Sequence, residues 1–165
     1  MTVFKWFQNR IIGINSAART TCVKPSGNAS VLLQTASGIH AEHSNMYIRN
    51  VQMNKESEIT QAIMKTNPYM VEDSVWSAGG TDVVVSFPIL PKKGSMYKDD
   101  LLGVKHLELV KKAQKHWVEA GTNEDLCADK GVRHNVSNTI IVDDWDQVEK
   151  YVFENRHSFA GISFL

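Results

Sequence analysis

The pattern of hydrophobic and polar positions changes period several times along the chain. Residues Tyr47 to Met53 alternate between apolar and polar, as expected for a strand with one buried face. Other short runs are rich in β-branched or aromatic residues and are bounded by Pro, Gly or Asn, which also indicates strands. The predicted strands are Thr20 to Lys24, Tyr47 to Met53, Val83 to Phe87, Asn138 to Val142 and Phe159 to Leu165.

Apolar residues at helical spacing predict helices between these strands. The longest predicted helix runs from Asp99 to Ala120 and ends at Gly121, with an apolar face made of Leu102, Leu109, Val110, Ala113 and Trp117. A second helix, from Glu56 to Thr66, has Ile59, Ala62 and Ile63 as its apolar stripe. The remaining predicted helices run from Val3 to Ile14, from the residues after Gly27 to about Thr35, and from an Asp144 cap to Asn155.

The alternation of strands and helices predicts an α/β fold with partly parallel strand pairing. The 165 residues are enough for one domain with a core, and the hydrophobic content of 42% suits a globular protein. We therefore predict a single domain over residues 1–165. Trp76, Trp117 and Trp145 are expected to be core anchors.

Charge and composition exclude several classes of partner. The 18 basic and 18 acidic side chains balance, so no basic surface for nucleic acid is indicated. No apolar run reaches the length of a membrane span, and residues 1–14 lack the apolar core and cleavage site of a signal peptide. These features predict a cytoplasmic protein that binds neither nucleic acid nor membrane.

The most informative stretch is the loop between the first predicted strand and the helix that follows it. A helix start offers backbone N–H groups without internal acceptors and about +0.5 of a charge, which favours phosphate. A glycine at such a loop permits close approach of an anion, and serine or asparagine side chains can donate to its oxygens. The alternative is a plain helix cap without a ligand. The candidate phosphate-binding residues are Pro25, Ser26, Gly27, Asn28, Ala29 and Ser30.

Other chemistry-bearing residues give weaker signals. His40 and His43 have i, i+3 spacing but no third ligand in a recognisable position, so no metal site is assigned. Cys22 and Cys127 lie far apart without a C-x-x-C motif, so each is expected to be a buried small side chain or a free thiol. Asn135 and Ser137 are interpreted as residues that satisfy backbone groups in a turn, and the alternative is that His134 and Asn135 orient a polar ligand group.

Three blocks of the sequence resemble the carboxy-terminal part of the adenosylcobalamin-dependent (class II) ribonucleotide reductases. The first block is TTCVKPSGNAS, followed by SGIHAEHS and YIR. The second runs from Arg133 to Ile140 and reads RHNVSNTI. The third comprises Trp145-Asp146, Glu154 to Arg156, and Phe159 to Leu165. The blocks occur in the order found in the family and span nearly the whole chain from about Arg19.

The resemblance implies a fold, a cofactor and partners. The family fold is a ten-stranded α/β barrel, of which this chain would form a partial barrel, as a fragment or split subunit. The complete enzyme would use adenosylcobalamin to reduce ribonucleotides to deoxyribonucleotides. The expected partners are the ribonucleotide substrate and the remaining reductase polypeptide that carries the catalytic cysteines, with self-association as an option.

The resemblance also implies roles for particular residues. The loop from Pro25 to Ser30 would hold the substrate phosphates, with Asn28 where many members have Thr. Ser37, Gly38, Ile39 and His40 would be neighbours of the active site. Neither cysteine matches the catalytic positions of the family, so no catalytic residue is assigned, and we expect the chain alone to be inactive. The alternative is a non-enzymatic nucleotide- or phosphate-binding module, or an assembly module.

Overall fold

The structure is a computed structural model, and it describes residues 11–165. The chain divides into two compact units, one formed by Met1–Glu42 with Met96–Leu165 and the other by His43–Ser95. Most of the predicted helix from Val3 to Ile14 lies outside the described residues. The prediction of one domain over residues 1–165 stays a prediction.

The unit His43–Ser95 is built on a three-stranded antiparallel sheet. Strand β3 (Asp82–Ile89) lies between β1 (Tyr47–Asn54) and β2 (Val71–Asp73). The predicted alternation of β1 is confirmed, and its partly buried positions pair with the buried Val83 and Val85. Strand β3 continues past Pro88, where the predicted strand ends, because a proline next to the last strand residue removes little of the ladder. The short strand β2 was not predicted.

Helix α2 (Glu58–Thr66) of this unit confirms the predicted helix but not its buried face. It begins after Ser57, whose Oγ accepts a hydrogen bond from the amide of Thr60. Thr60 is fully buried, whereas Ile59, from the predicted apolar stripe, is 68% exposed. The Thr60 hydroxyl lies 2.6 Å from Ser57 Oγ, and this hydrogen bond permits its burial.

The other unit contains three α-helices that lie wholly within the described residues. These are α1 (Asn28–Leu33), α3 (Gly103–Ala113) and α4 (Trp145–Glu154), and α3 continues into a π-helical turn at Gln114–Glu119. Helix α4 starts as predicted, with Asp144 accepting from the amide of Gln147. The predicted helix from Asp99 to Ala120 is therefore shorter and begins four residues later.

The buried face of α3 shares Val110 with the predicted face but otherwise differs from it. His106, Leu107 and Val110 are buried and Gln114 and Val118 continue this side, whereas Trp117 is 56% exposed. Two polar residues lie on the buried side, and each is satisfied by a backbone carbonyl: His106 by Ile39 and Gln114 by His134. A pattern that counts only apolar residues misses these two polar members of the buried face.

The core of this unit joins α3, α4 and the extended segments between them. Its buried members are Leu107, Val110, Val118, Val136, Ile140 and Val148. Val23 and Ile39 pack against this core, one before the candidate phosphate loop and one in the turn after α1. The core thus holds both ends of the region that carries the candidate site.

Three of the predicted strands are not regular strands. Residues Thr20 to Lys24 are wrongly predicted as a strand. Within residues 11–165, the one long-range backbone hydrogen bond of this segment runs from the amide of Ser137 to the carbonyl of Val23. The last two predicted strands meet at one parallel bridge, Ile140 to Phe164. β-branched runs favour an extended backbone, but a strand also needs a neighbouring ladder. The regular sheet in residues 11–165 has three strands, and these residues do not show the predicted partial barrel.

The described surface exposes large apolar side chains. Trp76, Trp117 and Trp145 are 85%, 56% and 60% exposed, so the prediction that they are core anchors is wrong for this chain. Trp145, Phe153 and Phe164 line an apolar groove of about 510 Å³ beside α4. Within residues 11–165, none of the helices combines the length and the apolar character needed to cross a membrane.

Candidate functional site

The candidate phosphate loop is fixed by its own serines. Ser26 Oγ accepts from the amide of Ser30 at 3.1 Å, and Ser30 Oγ donates to the carbonyl of Gly27 at 3.3 Å. Helix α1 starts directly after Gly27, which has no side chain to cap it. Ser26 therefore does the capping from one position earlier, and it leaves the amides of Asn28 and Ala29 without an intrahelical acceptor.

Gly27 leaves open space beside the backbone of this loop. A Cβ atom built on Gly27 would meet no atom within 4 Å, and the residue has φ of −74°. The glycine is thus not required by the packing of the chain itself. The space that it leaves is available to a ligand that approaches the backbone.

The predicted active-site neighbours lie directly against the loop. Ser37 Oγ donates to the carbonyl of Ser26 at 2.7 Å. Gly38 has a φ of +64°, and a Cβ atom there would stand 3.0 Å from both the Cα and N atoms of Pro25. The turn from Ser37 to His40 therefore depends on a glycine for two reasons, its backbone conformation and its close approach to Pro25.

His40 joins this turn to the second of the blocks that carry the resemblance. Its Nε2 accepts from the amide of Thr139 at 3.0 Å, and its Nδ1 lies 3.0 Å from the carbonyl of Ser37. A nitrogen that accepts carries no proton, so Nδ1 must carry the proton and donate to Ser37. His40 is thus held as the neutral Nδ1–H tautomer, with both ring nitrogens engaged.

His106 is a residue of this site that the sequence reasoning missed. It is 3% exposed, its Nε2 donates to the carbonyl of Ile39 at 2.9 Å, and its ring meets that of His40 edge to face at 5.5 Å. Burial lowers the pKa of His106 below its usual value of 6.5, the Ile39 carbonyl acts in the opposite direction, and a proton on the neighbouring His40 would lower this pKa further. Its position between Gly103 and Val110, at helical spacing, was the available signal.

Asn138 has a backbone-satisfying role in the segment where such a role is predicted for Asn135 and Ser137. Its amide nitrogen donates to the carbonyls of Val136 and Gly161, at 2.6 and 3.1 Å. These bonds connect the second and third resembling blocks. All three blocks therefore contribute to one hydrogen-bonded assembly around the loop, the turn and Thr139.

The remaining candidates lie outside this assembly. Cys22 is an exposed free thiol, and the free Cys127 is half-buried with its Sγ 3.5 Å from the carbonyl of Asn123. His43 belongs to the other unit, where its ring packs edge to face on Tyr47. His40 and His43 are thus engaged separately.

The structural comparison establishes the fold. The structure superimposes on the crystal structure of a B12-dependent (class II) ribonucleotide reductase with a TM-score of 0.71, over 98% of this chain and 21% of that chain. The identity is 19%, so this likeness concerns the fold. The family models that we searched include none that matches the chain.

Sequence relatives then make the relationship specific. The chain is 31% identical over 157 residues to a probable adenosylcobalamin-dependent ribonucleoside-triphosphate reductase of Dictyostelium discoideum. It is 26% identical over 106 residues to an adenosylcobalamin-dependent ribonucleoside-triphosphate reductase of Euglena gracilis. These matches cover 93% and 64% of this chain but only 18% and 14% of the relatives. The resemblance is thus confirmed: the chain is homologous to a segment of the adenosylcobalamin-dependent (class II) ribonucleotide reductases.

Proposed function

We propose that this chain supplies the substrate-phosphate loop of an adenosylcobalamin-dependent ribonucleotide reductase. Residues Pro25 to Ser30 hold the phosphates of a ribonucleotide, and the turn from Ser37 to His40 contacts this loop and holds it in place. The names of both relatives favour a ribonucleoside triphosphate as the substrate. The protein works in the cytoplasm, where ribonucleotides are available.

One observation carries this proposal: the separated blocks that resemble the reductases meet at the loop. Ser37 binds the carbonyl of Ser26, and His40 binds the amide of Thr139, which is 99 residues away in sequence. A plain helix cap needs only Ser26 and Ser30. The extra bonds fix the position of the loop relative to the core, as expected for a binding site that needs preorganised groups.

The chemistry at the ribose would depend on parts that this chain does not supply. When bound, adenosylcobalamin supplies the radical in the complete enzyme. We assign to residues 11–165 neither a cobalamin contact nor a step through the cofactor. Its own share is to bind and orient the substrate, and we expect it to form no deoxynucleotide alone.

The proposed partner is the remaining reductase polypeptide with the catalytic cysteines. The matching segment is 18% of the Dictyostelium relative, so most of such an enzyme lies elsewhere. The exposed apolar groove beside α4 supports burial against another polypeptide. The partial barrel would be completed in that complex, and self-association is the competing arrangement.

Binding of adenosine triphosphate tests the phosphate loop directly. We expect Gly27→Val to weaken binding at least tenfold in calorimetry, because the added side chain fills the space over the backbone amides. Ser26→Ala is also expected to weaken binding, because the amide of Ser30 loses its acceptor and the loop loses a restraint. Adenosine diphosphate, measured in parallel, reports the contribution of the third phosphate.

Matched control variants distinguish a loss of binding caused by the loop from a loss caused by general destabilisation of the chain. Gly79→Val adds the same side chain where a Cβ would make only an ordinary 3.6 Å contact, and Ser57→Ala removes a comparable serine cap from α2. Both should bind adenosine triphosphate as the parent chain does. Equal binding by the parent and Gly27→Val would refute the role of the loop.

Complementation distinguishes the reductase subunit from the non-enzymatic alternative. We expect the chain alone to give no deoxynucleotide, and to restore adenosylcobalamin-dependent reduction when it is mixed with the Dictyostelium reductase from which the homologous segment has been deleted. The Gly27→Val chain should restore less activity. Nucleotide binding without any restored reduction would instead favour the binding or assembly module, and reduction by the chain alone would contradict the proposal.

A further inference from the structure

We infer that His106 is a positioning residue which, together with neutral His40, fixes the turn from Ser37 to His40 against the phosphate loop. This inference rests on the proposed function for its consequence in binding. Its structural part, the restraint of the turn by two imidazoles, can be tested separately. Neither histidine is placed in contact with a substrate.

His106 approaches the turn from the buried side of α3. Its Nε2–H donates to the carbonyl of Ile39 at 2.9 Å, and Ile39 itself packs against the core. The residue after Ile39 is His40, whose ring lies edge to face with that of His106 at 5.5 Å. The buried helix thus holds both the backbone and the next side chain of the turn.

His40 transmits this restraint to two other segments. Its Nδ1–H donates to Ser37, and its Nε2 accepts from Thr139. Ser37 in turn donates to the carbonyl of Ser26 in the phosphate loop. An unbroken series of contacts therefore leads from α3 through both histidines and Ser37 to Ser26.

This arrangement fits only neutral imidazoles. A proton added to His40 would sit on Nε2, where the Thr139 amide already points its own hydrogen. A proton added to His106 would keep the bond to Ile39 but would place a buried charge against the His40 ring. Among residues 11–165, the Ile39 carbonyl and His40 act on His106, and Ser37, Thr139 and His106 contact the ring of His40.

The direction of the pH effect follows from the same contacts. Because burial lowers the pKa of His106 in the folded chain, the unfolded chain binds the proton more readily. The free energy of unfolding is therefore unaffected well above pH 6.5 and falls as the pH drops from about 6.5 towards the lower folded pKa. Acid should release the turn, and His106→Gln should reduce this dependence because glutamine keeps a donor but does not titrate.

Nuclear magnetic resonance of the full chain tests the restraint without any ligand. Imidazole nitrogen shifts at pH 7.5 should show the proton of His40 on Nδ1 and that of His106 on Nε2. In His106→Leu, which lacks the donor, the amide of Thr139 should exchange about tenfold faster, the change expected for loss of one hydrogen bond. In His106→Gln, the amide of Thr139 should exchange at nearly the same rate as in the parent chain.

The amide of Val148 provides the internal reference. It donates to the carbonyl of Asp144 at the start of α4 and should keep its exchange rate in every variant. Faster exchange at Val148 would show that His106→Leu is unfolded. The inference is then tested by the histidine tautomers of the parent chain and by the Thr139 exchange rate in His106→Gln. A proton on Nε2 of His40, or loss of Thr139 protection in His106→Gln, would overturn the inference.

A binding measurement separates this inference from the proposed function. Adenosine triphosphate should bind His106→Gln as it binds the parent and His106→Leu about tenfold more weakly, at pH 7.5. If no variant binds the nucleotide but Thr139 responds as expected, the proposed function fails and the restraint stands. If the parent and His106→Leu bind equally, the positioning role fails and the proposed function stands.

Discussion

Leu107→Ala is expected to lower the free energy of unfolding by about 3 kcal/mol, in the range for a leucine removed from a packed core. Leu107 is 0% exposed and lies among Val110, Val136, Ile140 and Val148. The loss has two parts, the transfer of the deleted carbons and the cavity that they leave. Urea denaturation at pH 7.5, with the amides of α3 as reporters, measures it.

Leu109→Ala provides the control on the same helix. Leu109 is half-buried and outside the buried core cluster, so its truncation should cost about 1 kcal/mol. The two variants remove the same atoms, and helix propensity changes equally in both. Equal destabilisation by the two variants would contradict the finding that Leu107 is buried in the core and Leu109 is outside it.

The difference between these two leucines shows where a hydrophobic pattern stops being sufficient. The sequence places a helix here correctly, but it assigns Leu109 and Trp117 to the core because they lie on one apolar stripe. The true buried face contains His106 and Gln114, which are accepted there because two backbone carbonyls bind them. Those carbonyls belong to Ile39 and His134, far away in sequence, so local pattern cannot reveal them.

Strand predictions succeeded where strict alternation matched a neighbouring strand. The predicted strand Tyr47 to Met53 agrees with β1 to within one residue, and β3 provides the strand with which it forms hydrogen bonds. The β-branched run at Thr20 to Lys24 has the same local preference for an extended backbone. Among the described residues, however, it forms only one backbone hydrogen bond with a distant segment of the chain. Pairing is a property of two segments, and one segment alone does not determine it.

The site was predictable in its parts but not in its connections. The resemblance identified the loop from Pro25 to Ser30 and the turn from Ser37 to His40, and the structure brings them together. Their role in binding phosphate remains a proposal. The helical spacing of His106 indicates at most that it lies on the buried side of α3, and it does not show that the side chain would join the loop and the turn, because a lone histidine on a helix has many possible roles.

Gly38→Ala is expected to lower the free energy of unfolding by about 3 kcal/mol, and it should also weaken nucleotide binding. The backbone of Gly38 is left-handed, which costs an alanine roughly 1–2 kcal/mol. The new Cβ would also stand 3.0 Å from two backbone atoms of Pro25, which cannot swing aside as a flexible side chain can. Relief of this contact requires the turn and the loop to separate, at a further cost of about 1–3 kcal/mol.

Gly131→Ala separates the two causes because it shares only the first. Gly131 also has a left-handed backbone, with φ of +87°, but a Cβ there would meet nothing within 4 Å, and it belongs to the same compact unit. Its substitution should cost about 1–2 kcal/mol and leave nucleotide binding unchanged. If Gly38→Ala costs no more than Gly131→Ala, then the approach to Pro25 is not a tight contact, and the turn does not hold the loop. A larger cost accompanied by weaker binding would instead mean that the contact between Gly38 and Pro25 sets the geometry on which the loop depends.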